Sequence, residues 1–538
     1  MEKLNDLLKE KRNDDIWKKY CGFLDYTLKD FMNLQEDMLL EQLDRLKHCT
    51  IGKQIIGTKV PKSVDEFREK VKFTGYKHYS KYLMNKEETV LPEKPITWAH
   101  TSGRSGEYQF KWAPYTEEMF RVSGEKSCTA LILSSCKNRG DIVLKEEDKV
   151  LFTVATPPYV SGIWIQGAMA EFNMKMFPPY ENALKMDFHE RIKVGLKSAL
   201  SEGLDLVFGM TSILVKIGEQ IGNRDSKNRG EKNSESSIGI QAILRLLQAY
   251  VKAKCNGRKV TPKDIWKLKG IVCGGMDTSI YKNKVKQLWG KIPLETYGST
   301  EFGFIAVQPW NCEHMVLYPD VAYWEFICID DYQKMKSDAS YAPKTMLINE
   351  VKANEEYVLV GTSYHGGVFI RYIIGDLIKI VSLNDKEAQL NLPQLVCIAR
   401  VDDLIDIGGF TRLTEKIIWQ AIEDTGLSYT DWTIRKEYNE SKPILHLYLE
   451  LKDSNETSKT VTNKVHESLR MIDEPYRELE RIAGVKPLKV SLLKKGSFQR
   501  FYEERVAAGA DLAHLKPKHI NPQDNALKNL LRMSSWEL

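Results

Sequence analysis

Four short segments hold residues whose types and spacing suit phosphate chemistry. The first is Thr101-Ser102-Gly103-Arg104-Ser105-Gly106, with Lys111 shortly after. Hydroxyls and glycines crowded into one turn let N–H and O–H groups converge on an anion, and a lysine adds full positive charge. A plain Ser/Gly turn is the competing reading. The second is Tyr297-Gly298-Ser299-Thr300-Glu301-Phe302-Gly303, after a predicted strand at Leu294–Thr296. A hydroxyl and a carboxylate at a strand's carboxyl end can hold Mg²⁺ and a phosphate, although the same residues could simply cap a short helix.

The third segment, Arg371-Tyr372-Ile373-Ile374-Gly375-Asp376, offers a carboxylate to the two vicinal hydroxyls of a ribose, or else ends a strand in a turn. The fourth is Arg400-Val401-Asp402-Asp403-Leu404-Ile405, with Gly408, Gly409 and Glu415 beyond. An arginine beside two carboxylates at a compositional break suits a phosphate contact next to a hinge, or a solvated linker.

Such segments work only if strand ends bring them together. From about Pro95 the chain turns to short β-rich runs, Val150–Val154, Leu204–Gly209 and Gly270–Gly275, separated by helical stretches. That alternation predicts an α/β domain whose loops carry the site. The first 90 or so residues look helical and polar, with Leu39, Leu40, Leu43 and Leu46 forming one apolar stripe. Residues Gly222 to Ser237 are almost wholly polar and predict a mobile surface insertion. In the helix predicted at Ala242–Lys254, Ile243, Leu246, Leu247 and Tyr250 recur at steps of three and four, which predicts a buried face.

Beyond the break near Arg400, leucine at every second position of Ile444–Leu451 predicts a half-buried strand. Val461, Val465, Leu469 and Ile472 mark an amphipathic helix, and Pro475 suits the first turn of another. The expected organisation is a large N-terminal domain over 1–399, with a helical segment over about 1–90, and a small α+β domain over 400–538.

Composition narrows the function classes. The 538 residues are 42% hydrophobic and 28% charged, which excludes collagen-like, coiled-coil and wholly disordered chains. A net charge of +5 from 78 basic and 73 acidic side chains is too thinly spread for a dedicated nucleic-acid binder. No run of about 18 apolar residues predicts a membrane span. The N-terminus lacks an apolar signal core, and the nine cysteines show no CxxC spacing; both point to reduced thiols in a cytoplasmic protein.

Taken in order, the four segments resemble the adenylate-forming superfamily of acyl-CoA synthetases, peptide-synthetase adenylation domains and luciferases. The resemblance is closer to the plant-type, auxin-responsive acyl-acid amido synthetases, which conjugate amino acids to auxin, jasmonate or benzoates. It spans roughly Val60 to Lys518 and adds Leu317–Phe326, Tyr357–Tyr364, Gly496-Ser497-Phe498 and Lys516-Pro517-Lys518 to the motifs above. Three departures stand out. Arg104 occupies the place of a loop threonine, the second motif reads YGSTE in the manner of CoA ligases, and the usual CoA-ligase ending is missing near Lys494-Lys495-Gly496.

The resemblance implies an α/β adenylation domain followed by a mobile C-terminal domain, and it implies ATP and Mg²⁺. Ser102, Gly103, Ser105 and Lys111 would face the triphosphate, with Tyr297, Gly298, Ser299 and Thr300 lining the nucleotide. Thr300 and Glu301 would hold the metal, Asp376 the ribose, and Arg400 a phosphate or the ribose. Gly274 and Gly275 would give adenine a flat floor, and Lys516 would reach the α-phosphate across a hinge at Asp402. The acyl pocket would involve Tyr159–Gly167 with Met276 and Phe302, although packed core accounts for Trp164 and Met276 equally well. The acceptor is expected to be an amino acid. A CoA ligase and a non-catalytic nucleotide-binding descendant are the rival readings.

Overall fold

The computed structural model describes residues 2–101, 111–223, 239–275, 278–338, 340–401, 405–407, 411–439, 442–453, 456–474, 476–477, 487–507 and 517–535. Two units result. The first holds Met1–Thr101, Lys111–Ile374 and Ile378–Cys397, and the second holds Gly375–Leu377 and the chain from Ile398 onward.

In the first unit, β1 (Thr97–His100) and β2 (Trp112–Tyr115) pair antiparallel. Thr101 and Lys111 are joined directly, because Thr101 N–H donates to the Lys111 carbonyl at 3.0 Å. Lys111 N–H returns a bond to the Thr101 hydroxyl at 3.1 Å.

Seven strands follow: β3 (Lys149–Thr153), β4 (Lys175–Phe177), β5 (Leu206–Met210), β6 (Gly270–Gly274), β7 (Leu294–Ser299), β8 (Gly303–Val307) and β9 (Val316–Leu317). Their order in the sheet is β4-β3-β5-β6-β7-β8-β9. The strands from β4 to β7 are mutually parallel, while β8 and β9 are antiparallel additions. Leu151, Val207 and Ile271 are wholly buried at its centre, each contributing about 1.5–3 kcal/mol of apolar burial. The short β-rich runs are therefore strands covered on both faces. The helix Glu117–Ser135 crosses so close to this sheet that a Cβ on Gly270 would overlap the Ser134 hydroxyl at 2.2 Å.

A four-stranded sheet follows: β10 (Ala322–Cys328), β11 (Glu356–Ser363), β12 (Tyr372–Ser382) and β13 (Gln394–Arg400), paired in that order. The helix Leu28–Leu46 docks on β10, and Leu39, Leu43 and Leu46 of the predicted stripe are on its buried face while Leu40 is half-buried. Two glutamines complete that face. Gln35 accepts from Trp324 N–H at 2.9 Å and donates to the Ala322 carbonyl at 2.7 Å, and Gln42 bonds both Gly366 and Gly367. Each buried amide is satisfied, so it anchors the helix without an unpaired polar group.

In the second unit, β14 (Ile405–Ile407) pairs with β15 (Thr411–Leu413). A second sheet joins β16 (Tyr429–Asn439), β17 (Lys442–Leu451) and β18 (Leu488–Leu493), with β17 and β18 parallel. Leu445, Leu447 and Leu449 are wholly buried against Val461, Val465 and Leu469 of the helix Ser458–Ile472.

Three expectations need correction. The β17 strand is buried on both faces, because Tyr448 packs with Phe498, Phe501 and Leu530 under a second pair of helices. Glu450, only 2% exposed, accepts from Gly496 N–H at 2.8 Å and Phe498 N–H at 2.9 Å, capping the helix Ser497–Ala507. The Gly496-Ser497-Phe498 motif is thus a helix start. In the helix Ile240–Cys255, Ile243, Leu247 and Tyr250 are exposed, while the buried contacts come from Ala242, Ala249 and Ala253. Close packing through alanine turns the larger side chains outward. Ile472, at the end of its helix, is 40% exposed. Pro475 and residues 224–238 of the polar insertion lie outside the described residues. No helix among the described residues is long and apolar enough to cross a membrane. Cys21, Cys49, Cys128, Cys136, Cys273 and Cys312 are buried free thiols, and the described cysteines form no disulfide.

Candidate active site

The parallel strands β6 and β7 end side by side. Gly274 pairs with Thr296, and the two carboxyl ends continue into Gly275 and into the Thr300-Glu301 turn. In open α/β sheets ligands bind outside these ends. A Cβ on Gly274 would lie no closer than 3.6 Å to Thr296, while Gly275 adopts φ +126°, where glycine is strongly preferred. The tight spot is Gly298. A side chain there would overlap the Gly303 carbonyl at 2.6 Å and the Trp164 indole at 2.7 Å.

Trp164 stacks on Phe304 with ring centroids 4.1 Å apart and so lies against the Tyr297–Gly303 turn. Phe302 points elsewhere, into an aromatic cluster with Trp324, Phe369 and Tyr372. The void beside Phe302 and Phe304 measures about 10 Å³, room for one water. A larger cleft of about 530 Å³ lies on the other side of the helix Val160–Glu171, lined by Phe120, Gln166, Met169 and Tyr180.

Glu301 is 7% exposed and accepts a hydrogen bond from the Tyr372 hydroxyl at 3.0 Å. Tyr115 at the end of β2 donates to the Thr300 carbonyl at 3.1 Å, tying the strand that follows the Ser/Gly segment to this turn. Burial, and then the neighbouring Glu301 carboxylate, push the Tyr115 phenol well above its ordinary pKa, so it remains a donor.

Tyr372 is held in turn from both sides. Thr74 N–H donates to the Arg371 carbonyl at 2.9 Å, and Ile373 N–H donates to the Thr74 carbonyl at 3.0 Å. Arg371 has φ +42° and is 4% exposed. Its guanidinium meets Glu325 through Nε at 3.0 Å and Nη2 at 2.7 Å, and it donates to the Arg68 carbonyl at 2.7 Å. Arg371 is a structural clamp that fixes where β12 begins, and thereby where Tyr372 sits. Replacing Tyr372 by Phe removes one hydrogen bond to a carboxylate, worth about 1.5–3 kcal/mol. The expected outcome is a roughly tenfold loss of ATP–pyrophosphate exchange with the unfolding midpoint lowered by only a few degrees, measured on the same preparation.

The other candidates divide between the units. Lys111 belongs to the first, its ammonium 5.7 Å from the centre of the Tyr76 ring. Asp376 and Arg400 belong to the second, where Arg400 Nε lies 3.2 Å from the Asp376 carboxylate. Ser102, Gly103, Ser105, Met276, Asp402, Asp403, Gly408, Gly409 and Lys516 lie outside the described residues. Thr300 and Glu301 together offer one hydroxyl and one carboxylate. That suits magnesium, which takes one or two protein carboxylates and completes its shell with phosphates and water. No group of three or more potential metal-binding His, Cys, Asp or Glu side chains occurs among the described residues.

Three family domains match the chain: the GH3 family N-terminal domain over 21–216, the central domain over 315–397 and the C-terminal domain over 414–525. Jasmonoyl--L-amino acid synthetase JAR4 of Nicotiana attenuata is 27% identical over 279 residues, 49% of this chain and 45% of the relative. Jasmonoyl--L-amino acid synthetase GH3.5 of Oryza sativa subsp. japonica is 25% identical over 285 residues, 49% of this chain and 47% of the relative. The chain spans about half the length of the curated relatives it matches.

Among solved structures, AtGH3.15 acyl acid amido synthetase in complex with 2,4-DB superposes with TM-score 0.67 at 17% identity, covering 97% of this chain and 98% of that one. A 2-hydroxyisobutyryl-CoA ligase in the postadenylation state superposes with TM-score 0.57 at 15% identity, covering 92% of each chain. At these identities the likeness is one of fold, a large α/β domain with a smaller C-terminal one. With its N-terminal, central and C-terminal segments all matched, the chain belongs to the GH3 family.

Proposed function

We propose that this protein adenylates a carboxylic acid with ATP and transfers the acyl group to the amine of an amino acid. The observation that carries the reading is the Thr300-Glu301 turn at the carboxyl end of β7, with its buried carboxylate held by Tyr372, in a chain of the GH3 family. In the first step the acid's carboxylate attacks the α-phosphorus of ATP, and the bond to the pyrophosphate oxygen breaks. The amine then attacks the acyl carbonyl and AMP leaves. No enzyme nucleophile is needed, so the residues act by neutralising charge and aligning the reactants.

Lys111 and the Ser102–Ser105 segment are assigned to the triphosphate, and Thr300 and Glu301 to phosphate and Mg²⁺. Magnesium, when bound, supplies neutralisation of the pyrophosphate charge. Asp376 is assigned to the ribose hydroxyls and Arg400 to a phosphate or the ribose. Gly274 and Gly275 leave space for the adenine, with Tyr297, Gly298 and Ser299 beside it. Lys516 is assigned to the α-phosphate, and the chain near Asp402 to the hinge between the two proposed domains. Trp164 borders the acyl group.

ATP–pyrophosphate exchange over a panel of benzoate, phenylacetate, indole-3-acetate, jasmonate and straight-chain acids tests the first step. Absence of exchange with every acid would favour a binding module. For the second step, amino acids rather than CoA are expected to stimulate AMP release, with an amide as product. The YGSTE form of the motif favours the alternative acceptor, CoA. Mass spectrometry showing a CoA thioester and no amide would establish that alternative.

A further inference from the structure

The sheet of the second unit carries a polar relay that the proposed adenylation does not use. His446 of β17 is 5% exposed, and each of its ring nitrogens has a partner on a neighbouring strand. Its Nδ1 lies 2.7 Å from Glu437 Oε2 on β16, and its Nε2 lies 2.8 Å from the Ser491 hydroxyl on β18. The other carboxylate oxygen, Glu437 Oε1, accepts from the Tyr448 hydroxyl at 2.8 Å and from Arg435 Nε at 2.7 Å. The Tyr448 ring stacks on the imidazole with centroids 4.1 Å apart. Strand register brings these residues together. Arg435 pairs with His446 across β16 and β17, and His446 and Tyr448 pair with Lys489 and Ser491 across β17 and β18. Residues two apart on a strand share a face, so all six side chains belong to one side of the sheet.

The protons follow from the partners. Burial would raise the Glu437 pKa, but the hydrogen bonds from His446, Arg435 and Tyr448 outweigh it and bring it down to about 2. An ionised carboxylate only accepts, so Nδ1 carries a proton for Oε2. Burial also lowers the His446 pKa below the ordinary value of 6.5, with Lys489 and Arg435 adding to that and Glu437 opposing it. The ring is therefore neutral at pH 7, and Nε2 is left to accept from the Ser491 hydroxyl. Hydroxyl, imidazole and carboxylate stand in the order that activates a nucleophile.

We propose that Ser491 is a nucleophile towards small carboxylic esters, with His446 as its general base and Glu437 as the positioning residue. Ser491 is half-buried, so its end of the relay is within reach of a small ester. Its Oγ attacks the ester carbonyl carbon while its proton passes to His446 Nε2. The imidazolium gives that proton to the departing alkoxide, and an acyl-serine remains. Water then attacks the acyl carbon, its proton is taken by Nε2 and returned to Oγ, and the acid leaves. Lys489, exposed and two residues before Ser491 on the same face, brings positive charge for the oxyanion that forms. None of these residues is assigned to adenylation.

The test uses the full chain without ATP or acid, and a fluorophosphonate probe whose phosphorus stands in for the ester carbonyl carbon; the Oγ–P bond forms as fluoride leaves. Mass spectrometry of peptides is expected to place the label on Ser491. The parent is also expected to hydrolyse p-nitrophenyl acetate about tenfold faster than Ser491→Ala. His446→Gln is expected to slow labelling of Ser491 by about 10²–10⁴, the scale for loss of a general base. The parent's labelling rate should fall below pH 6.5, where the ring gains a proton. The charged groups facing the ring are Glu437, Arg435 and Lys489, with Asp524 acting through Arg435 at 2.8 Å; Tyr448 is neutral. Glu437→Gln is expected to slow labelling about tenfold and to move the inflection to lower pH, because no carboxylate then favours the imidazolium. Absence of label on Ser491 in the parent, or an unchanged labelling rate in His446→Gln, would overturn the proposal. If His446→Gln proves unfolded, the Glu437→Gln inflection decides, and its staying at the parent's pH would overturn the relay.

Discussion

Glu301→Gln is expected to slow ATP–pyrophosphate exchange by on the order of 10²–10³, the scale seen when one preorganised electrostatic group is removed. The substitution preserves shape and leaves an amide oxygen that can still accept from Tyr372, 3.0 Å from the carboxylate in the parent. It therefore separates charge from packing. Because Glu301 is only 7% exposed, water cannot readily replace the lost charge around a magnesium–pyrophosphate complex. The loss should appear as weaker Mg²⁺ binding, a higher Mg²⁺ concentration for the half-maximal rate, together with the slower rate. Exchange at the parent rate would remove Glu301 from the metal assignment.

The Glu301 motif could be found in the sequence because its residues are contiguous and follow a strand. Its partner could not, since Tyr372 lies 71 positions away and approaches only when β12 packs beside the Thr74 segment. The same distinction runs through the fold. Leu445, Leu447 and Leu449 announce a strand through their period of two, whereas the cover over its other face comes from helices beginning at Ser497 and Asp524. Gln35 and Gln42 look like solvent residues until the backbone groups that satisfy them are known. The exposed stripe on Ile240–Cys255 shows the converse error, since spacing reveals an apolar face without revealing what covers it. His446 meets Ser491 across 45 positions, beyond any local pattern.

Lys516→Ala is expected to raise the adenylation barrier by about 3–4 kcal/mol, while synthetic acyl-adenylate is still converted to final product. The asymmetry follows from where charge develops. As the carboxylate attacks, negative charge grows on the α-phosphoryl oxygens, and an ammonium on a long stem can follow it. Once pyrophosphate has left, the carbonyl carbon is the reacting centre and the lysine has little charge to stabilise. Two single-turnover measurements on the variant decide the matter, one from acid plus ATP and one from the adenylate. Equal loss in both would indicate a docking or folding defect. No loss in either would make Lys516 one of several solvated lysines and turn attention to Lys494 and Lys495. These two residues precede the Glu450-capped start of the helix Ser497–Ala507, so an ammonium from either would have to act from a different edge of the sheet.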